Sequence, residues 1–244
     1  MGLSLLFMLI SAAVCLLLPI AAAIILAVKR KGSILMFFLG VASFTVSQLL
    51  LRIPLLGELQ NTVWFNMFTI TQPLLCALLI ALSAGVFEET GRYAALRFLN
   101  KDLLTWENGI MFGLGHGGVE AFWLAGVPYV GTIADTLSGS SAEALTVPPD
   151  IFLLGGIERI LAVTVHIGFT MLVLYAVKRR RIWCYILAVL VHGLADADLA
   201  LLAMAGIRPG LWEAEGIFAV FAVLAVILTV RMKPAFNISV PGNL

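Results

Sequence analysis

The chain has 244 residues, of which 61% are hydrophobic and only 12% charged, and its mean hydropathy is +1.07. Soluble domains carry about 25% charged residues, so the composition excludes a soluble globular protein and points to an integral membrane protein. A net charge of +1 leaves no basic footprint for a nucleic-acid partner. Cys15, Cys76 and Cys184 stand far apart in apolar runs, with neither a disulfide framework nor CxxC metal spacing.

A helical span needs roughly 20 apolar residues, which leaves room for about seven spans, within a range of six to eight. The expected fold is an all-α polytopic membrane bundle forming one domain over 1–244, with a core at about 62–205 and further helices over 1–51 and 211–231. The N-terminus lacks the basic n-region of a signal peptide, and its apolar run is long enough to span and be kept. Span 1 is predicted from Leu3 to Val28, stopped by Lys29-Arg30-Lys31-Gly32, and span 2 from Ser33 to Leu51, stopped by Arg52-Ile53-Pro54. Thr62 to Thr71 reads as a short interfacial helix with Trp64 at the membrane surface. Pro73 suits a first turn, so span 3 runs from Gln72 to Leu99. Span 4 covers Trp106 to Val127, and a loop over 128–150 follows. Span 5 covers Ile151 to Val177, span 6 Ile182 to Ala205, and span 7 Leu211 to Val230, with a polar tail after it.

Basic residues mark the cytoplasmic side of a membrane protein. Lys29, Arg30, Lys31, Arg97, Lys101, Lys178 to Arg181, Arg231 and Lys233 fall on one side; Arg52 and Arg208 fall on the other. The C-terminus is therefore expected in the cytoplasm and the N-terminus outside, in a bacterial cytoplasmic membrane.

Ionisable side chains at bilayer depth cost about 3 kcal/mol or more unless they are paired or face a wet interior. At about 1.5 Å per residue, His116, His166, His192, Glu88 and Glu89 all lie roughly 15 to 16 Å in from the basic side. Residues four apart share a helix face, as do Glu88 and Arg92, His116 and Glu120, and His192 and Asp196. Arg159 and His166, seven apart, share one as well. Four helices thus each present a polar pair. Six acids, Glu88, Glu89, Glu120, Glu158, Asp196 and Asp198, stand against two arginines, Arg92 and Arg159. Such an excess at low dielectric has to be protonated, hydrated, paired or bound to a cation. General acid–base chemistry uses acids of this kind; zinc uses two or three histidines with a carboxylate, here His116, His192 and Glu88. The cofactor is thus either none or a divalent metal such as zinc.

Each feature also has a plain structural reading. Glu88 with Arg92 can be an intrahelical pair, His116 an interhelical hydrogen bond, and Glu158-Arg159 a helix cap. Gly113, Gly115, Gly117 and Gly118 suit close helix approach better than phosphate binding, since no strand precedes them. The joint pattern favours one cavity, expected to open toward the half that carries the basic clusters.

Glu88-Glu89-Thr90-Gly91-Arg92, Phe112-xxx-His116 and His192-xxx-Asp196 resemble the signature of the CPBP intramembrane proteases, the superfamily of the CAAX prenyl endopeptidase that also includes the PrsW type. Gly115-His116-Gly117-Gly118-Val119-Glu120, with Glu158-Arg159 followed by His166, is similar to the YhfC type of intramembrane protease. The arginine stands three residues after the second glutamate, one fewer than in the CAAX pattern, and Asp196 stands where CAAX enzymes carry asparagine. Prenyl-protein specificity is therefore not carried over, while the hydrolytic core is. The resemblance implies that Glu88 or Glu89, with Glu88 the choice, activates a water that His116 helps to hold. It implies that His192 and Asp196 position that water or polarise the scissile carbonyl. Arg92, Glu120 and His166 complete the set. The implied activity is endopeptidase action on a membrane protein or peptide within the lipid bilayer. A proton- or cation-coupled transporter and a non-catalytic scaffold of the same fold are the alternatives. A transporter of seven spans without an inverted repeat is an unusual plan, and a scaffold is expected to lose ionisable residues that this chain keeps.

Overall fold

The computed structural model describes residues 2–30, 32–139 and 146–237. All of their regular structure is helical, as expected, and runs in order as α1 (Gly2–Arg30), α2 (Ile34–Gln60), α3 (Val63–Thr71), α4 (Pro73–Arg97), α5 (Trp106–Ser138), α6 (Pro149–Arg179), α7 (Ile182–Asp196), α8 (Asp198–Met204) and α9 (Leu211–Asn237). Six of these helices are long and apolar enough to cross a membrane, or seven if the bent pair α7–α8 counts as one span. Large apolar side chains such as Leu17, Leu50, Ile70 and Val230 lie exposed on the outside, the surface a bilayer covers. The polytopic helical bundle and its membrane class agree with the sequence. Of the expected basic clusters and loops, Lys31, residues 140–145 and the polar tail after Asn237 lie outside the described residues.

Three boundaries differ from expectation. Span 2 does not stop at Arg52-Ile53-Pro54: α2 continues to Gln60, with Thr45–Arg52 wound as π-helix. The loop expected over 128–150 is helical as far as Ser138, and here Phe122–Gly126 is π-helix. Both π segments end two residues before a proline, Pro54 and Pro128. A proline ring collides with the carbonyl four residues back and offers no N–H to it. The wider π winding moves that carbonyl aside and lets the helix pass through the proline. Span 6 is the third difference. It breaks at Ala197 with a bend of 64°, and Asp198 opens α8 with its carboxylate accepting the Leu199 N–H at 2.5 Å.

α6 is the central helix. It packs against α1, α4, α5, α7 and α9. Close approach around it and around α5 depends on glycine. A Cβ on Gly113 would fall 2.6 Å from the Ile167 Cα of α6, and one on Gly115 would fall 1.9 Å from the Phe37 carbonyl oxygen of α2. The glycine run read from the sequence as a packing feature thus brings α2 and α6 onto two sides of α5. His116, between those glycines, is buried in the resulting seam. The three cysteines are free and buried.

Candidate active site

Glu88 and Glu89 lie on the buried side of α4 and point to different neighbours, as adjacent helical residues must. Glu88 Oε2 is the meeting point. His116 Nε2 of α5 lies 2.9 Å from it, His192 Nε2 of α7 3.8 Å, and His166 Nδ1 of α6 3.9 Å. Three histidines from three helices therefore turn a ring nitrogen toward one carboxylate oxygen. The depth agreement read from the sequence is a true convergence.

Carboxylates and arginines behind the histidines fix these rings. Arginine has only donors, so Arg92 Nη2, 2.6 Å from His166 Nδ1, makes that nitrogen an acceptor. The proton of His166 then sits on Nε2 and is donated to Glu120 Oε2. Glu120 Oε1 accepts from Arg159 Nη1 at 2.9 Å, and Arg159 Nη2 also donates to Glu158. Arg92 Nη1 donates to Glu89 Oε1, the same oxygen that His192 Nδ1 approaches at 2.7 Å. A hydrogen bond from Nδ1 to that paired carboxylate leaves the Nε2 of His192 facing Glu88. The two arginines pair with Glu89, Glu120 and Glu158, and the acids left in excess are partly relieved by exposure, with the Glu158 side chain 37% and the Asp196 side chain 39% exposed.

A cavity of about 240 Å³ adjoins this cluster. Glu88, His166 and His192 reach it, with Glu120 and Asp196 on its wall; Glu89 and Arg92 are sealed behind. Asp196, at the last residue of α7, holds Oδ2 3.7 Å from His192 Nε2, and its side chain is 39% exposed. The cavity continues past Glu158 and Glu215, near the starts of α6 and α9. That is the half opposite Lys178 and Lys233, so the expected opening toward the basic side is corrected. The 64° bend at Ala197 ends α7 at this level, where Asp196, with Asp198 and Leu199 of α8, lines the cavity beside residues of α4, α6 and α9.

Comparisons place the chain. A family model described as "YhfC intramembrane metalloprotease" matches residues 14–148 and 135–222. An "Uncharacterized membrane protein YhfC" of Bacillus subtilis (strain 168) is 34% identical over 251 residues, covering 95% of this chain and 97% of that one. The chain belongs to the YhfC family. No solved structure matches it.

The printed description of the YhfC family implies a metal, and the donor set can be tested for one. Glu88, His116 and His166 are all buried and each offers a ligand atom within 4.8 Å of the others. His192 Nε2 adds a fourth candidate from the other side of Glu88. Metal-bound histidines commonly give their second ring nitrogen to a carboxylate, and His166 and His192 do so here with Glu120 and Glu89. In this arrangement Arg92 occupies the lone pair of His166 Nδ1, while His116 and His192 face Glu88 without such a competitor. Histidines with one carboxylate form a donor set that suits zinc, so the residues fit.

Two site features escaped the sequence reading. Gln48 of α2 donates Nε2–H to Glu88 Oε1, and Arg52 Nη1 holds Gln48 Oε1 at 3.1 Å. Arg52 is itself fixed by the Ser83 hydroxyl at 2.9 Å and the Ile80 carbonyl at 2.7 Å. Gln48 and Arg52 are four apart, the same spacing that marked the other pairs. They were passed over because Arg52-Ile53-Pro54 reads as the end of a span. Glu215, which also lines the cavity, falls near the start of span 7 and has no ionisable residue three or four positions away to mark its face.

Proposed function

We propose that this chain is an intramembrane endopeptidase that hydrolyses a peptide bond of a membrane-associated substrate with a water activated at Glu88. The observation that carries the reading is the convergence of His116, His166 and His192 on Glu88 Oε2 at the wall of a buried cavity. Water enters through the wet passage past Asp196, Glu158 and Glu215. Glu88 takes a proton from the attacking water as its oxygen bonds to the scissile carbonyl carbon, and gives that proton to the leaving nitrogen as the C–N bond breaks. His116, 2.9 Å from Glu88 Oε2 on the side away from the cavity lining, holds the carboxylate toward the water. With its Nδ1–H on Glu89, His192 in its imidazolium form donates Nε2–H to the oxygen on which negative charge develops, and the Asp196 carboxylate 3.7 Å away stabilises that cation. Arg92 and Glu120 fix the tautomer and the plane of His166 and so keep the cluster in register. A divalent metal such as zinc, held by Glu88, His116 and His192 with His166 beside them, would supply Lewis acidity to the water and the carbonyl in place of proton transfer at Glu88 and donation from His192.

Glu88 is preferred as the base because it touches the cavity, whereas Glu89 is enclosed between Arg92 and His192. The family description supports the same activity. The basic-residue bias supports an orientation with Lys178 to Arg181 in the cytoplasm, which places the cavity mouth on the outer half. Fragments of membrane proteins would be compared by mass spectrometry in cells expressing the wild type or Glu88→Gln. We expect a set of cleavage products confined to the wild type. Identical fragment sets, with both proteins folded and inserted, would overturn the assignment.

A further inference from the structure

A second cavity, of about 480 Å³, lies at the other end of the bundle, among the ends of α4 and α6 and the start of α7. Arg97, Lys101, Lys178 and Arg180 line it, and among the described residues no acid does. Its remaining wall is aromatic and aliphatic, from Tyr93 to Ile182. Four cations around one concave site repel each other, and the fold nevertheless fixes them there. Lys178 is held by the Leu104 carbonyl at 2.8 Å and the Phe236 carbonyl at 2.9 Å, which ties the ends of α5, α6 and α9 together. Arg180 caps α6 in the left-handed region with φ of 54°, a conformation few non-glycine residues take. It turns the chain from α6 toward α7 and leaves the Arg180 side chain exposed at the cavity. Arg97 lies over the Tyr93 ring at 5.8 Å.

The level of this cavity is marked independently. Phe98, 86% exposed, and Trp183, 56% exposed, project outward beside it, and aromatic side chains of this kind gather at the membrane–water boundary. A concave site at that boundary, cationic at its rim and apolar in its wall, matches a phosphate with acyl chains attached. Guanidinium groups bind phosphate through paired N–H donors and ammonium groups as point charges.

We propose that the cavity bounded by Arg97, Lys101, Lys178 and Arg180 binds a phosphate monoanion or diester, with an anionic phospholipid headgroup as its membrane source and free phosphate as its soluble one. The site is remote from Glu88 and does not depend on the hydrolytic reading.

The test uses the full chain in detergent, titrated with phosphatidylglycerol and followed by native mass spectrometry and thermal unfolding. Arg97→Gln/Lys101→Gln/Arg180→Gln spares Lys178, whose bonds to two carbonyls are structural. The control Lys29→Gln/Arg181→Gln/Arg231→Gln removes the same charge from exposed positions outside the cavity. Basic residues near a membrane surface contribute about 1 kcal/mol each toward anionic lipid, so we expect at least about a tenfold loss of lipid affinity in the first variant. The control should change little, and phosphatidylcholine should not stabilise either protein. Retention of the lipid against millimolar inorganic phosphate identifies the membrane source. Displacement of the lipid, with phosphate alone raising the unfolding temperature of the wild type but not of the first variant, identifies the soluble one. Equal loss in both triple variants would show diffuse attraction to a basic surface and overturn the site. Should the first variant fail to fold, the single Arg180→Gln carries the same comparison, and unchanged affinity in it sinks the proposal.

Discussion

Gln48 on α2 donates its side-chain amide to one carboxylate oxygen of Glu88 on α4, leaving the other oxygen to the histidines. The contact depends on the π winding of Thr45–Arg52, which carries the helix past Pro54 and places Gln48 inside the bundle. π segments inside helices often occur at functional sites, and here the segment presents a donor to the proposed base. Gln48 is a positioning residue in this scheme. Gln48→Leu removes the donor at similar size. Loss of an outer partner of a reacting group typically costs about 10- to 100-fold, and that loss is expected in the cleavage rate of a substrate identified by fragment comparison. A drop in rate with unchanged KM and a restored rate in Gln48→Asn or Gln48→His would separate positioning from damage to the fold. Full activity in Gln48→Leu would remove Gln48 from the mechanism.

Glu88 and Glu89 are expected to respond differently to the same change. Glu88→Gln keeps shape and most hydrogen bonds but loses basicity, so hydrolysis should vanish while insertion and unfolding temperature stay near normal. Glu89 is the buried counterion of Arg92 and the partner of His192. Breaking a buried pair from one side costs about 3–5 kcal/mol, so Glu89→Gln should lower the unfolding temperature as well as the rate. An active, well-folded Glu88→Gln enzyme would sink this division. An inactive but fully stable Glu89→Gln would keep the site and exchange the two roles.

Metal binding has a readout apart from catalysis. Elemental analysis of the purified chain is expected to give about one equivalent of zinc or a similar divalent ion, the stoichiometry of one three-ligand centre with an open position. His116→Ala and His192→Ala should abolish retention. Glu120→Gln, which removes the charge that holds both the His166 proton and Arg159, should weaken it by about 10- to 100-fold. Retention unaffected by either histidine change would place the ion elsewhere.

Much of this site was legible in the sequence, for a physical reason. An ionisable side chain in an apolar run has few places to go, so the i, i+4 pairs Glu88/Arg92, His116/Glu120 and His192/Asp196 declare their face, and helix rise declares their depth. Which partner each group would find was not legible. Arg92 bonds Glu89 and His166 as well as facing Glu88, and Arg159 reaches across to Glu120; such cross-helix choices depend on rotations of neighbouring helices that no single segment encodes. The prolines misled in one consistent way. Pro54 and Pro128 are ordinary stop signals in water-exposed helices, but within these spans the chain rewinds locally and continues. That rewinding hid Gln48, and the bend at Ala197 ends α7 at the level of the cavity, within what reads as one span.

The seam that holds His116 in place predicts a sharp contrast between glycines. A Cβ on Gly115 would lie 1.9 Å from the Phe37 carbonyl oxygen, and one on Gly40 would lie 2.0 Å from the Phe112 carbonyl oxygen. Both obstacles are backbone, so neither can swing aside as a flexible side chain would. Relief requires α2 and α5 to separate, which would draw Gln48 and His116 away from Glu88 together. Overpacking typically costs about 1–3 kcal/mol and occasionally more, and with both surfaces rigid the upper end or beyond is expected for Gly115→Ala. Gly131, farther along α5, has nothing within 4 Å of its would-be Cβ. Gly131→Ala should be neutral or stabilising by up to about 1 kcal/mol through helix propensity. Unfolding temperatures in one detergent, with zinc content measured on the same samples, would check both. A Gly115→Ala protein as stable as Gly131→Ala and with full metal retention would refute the close α2–α5 seam.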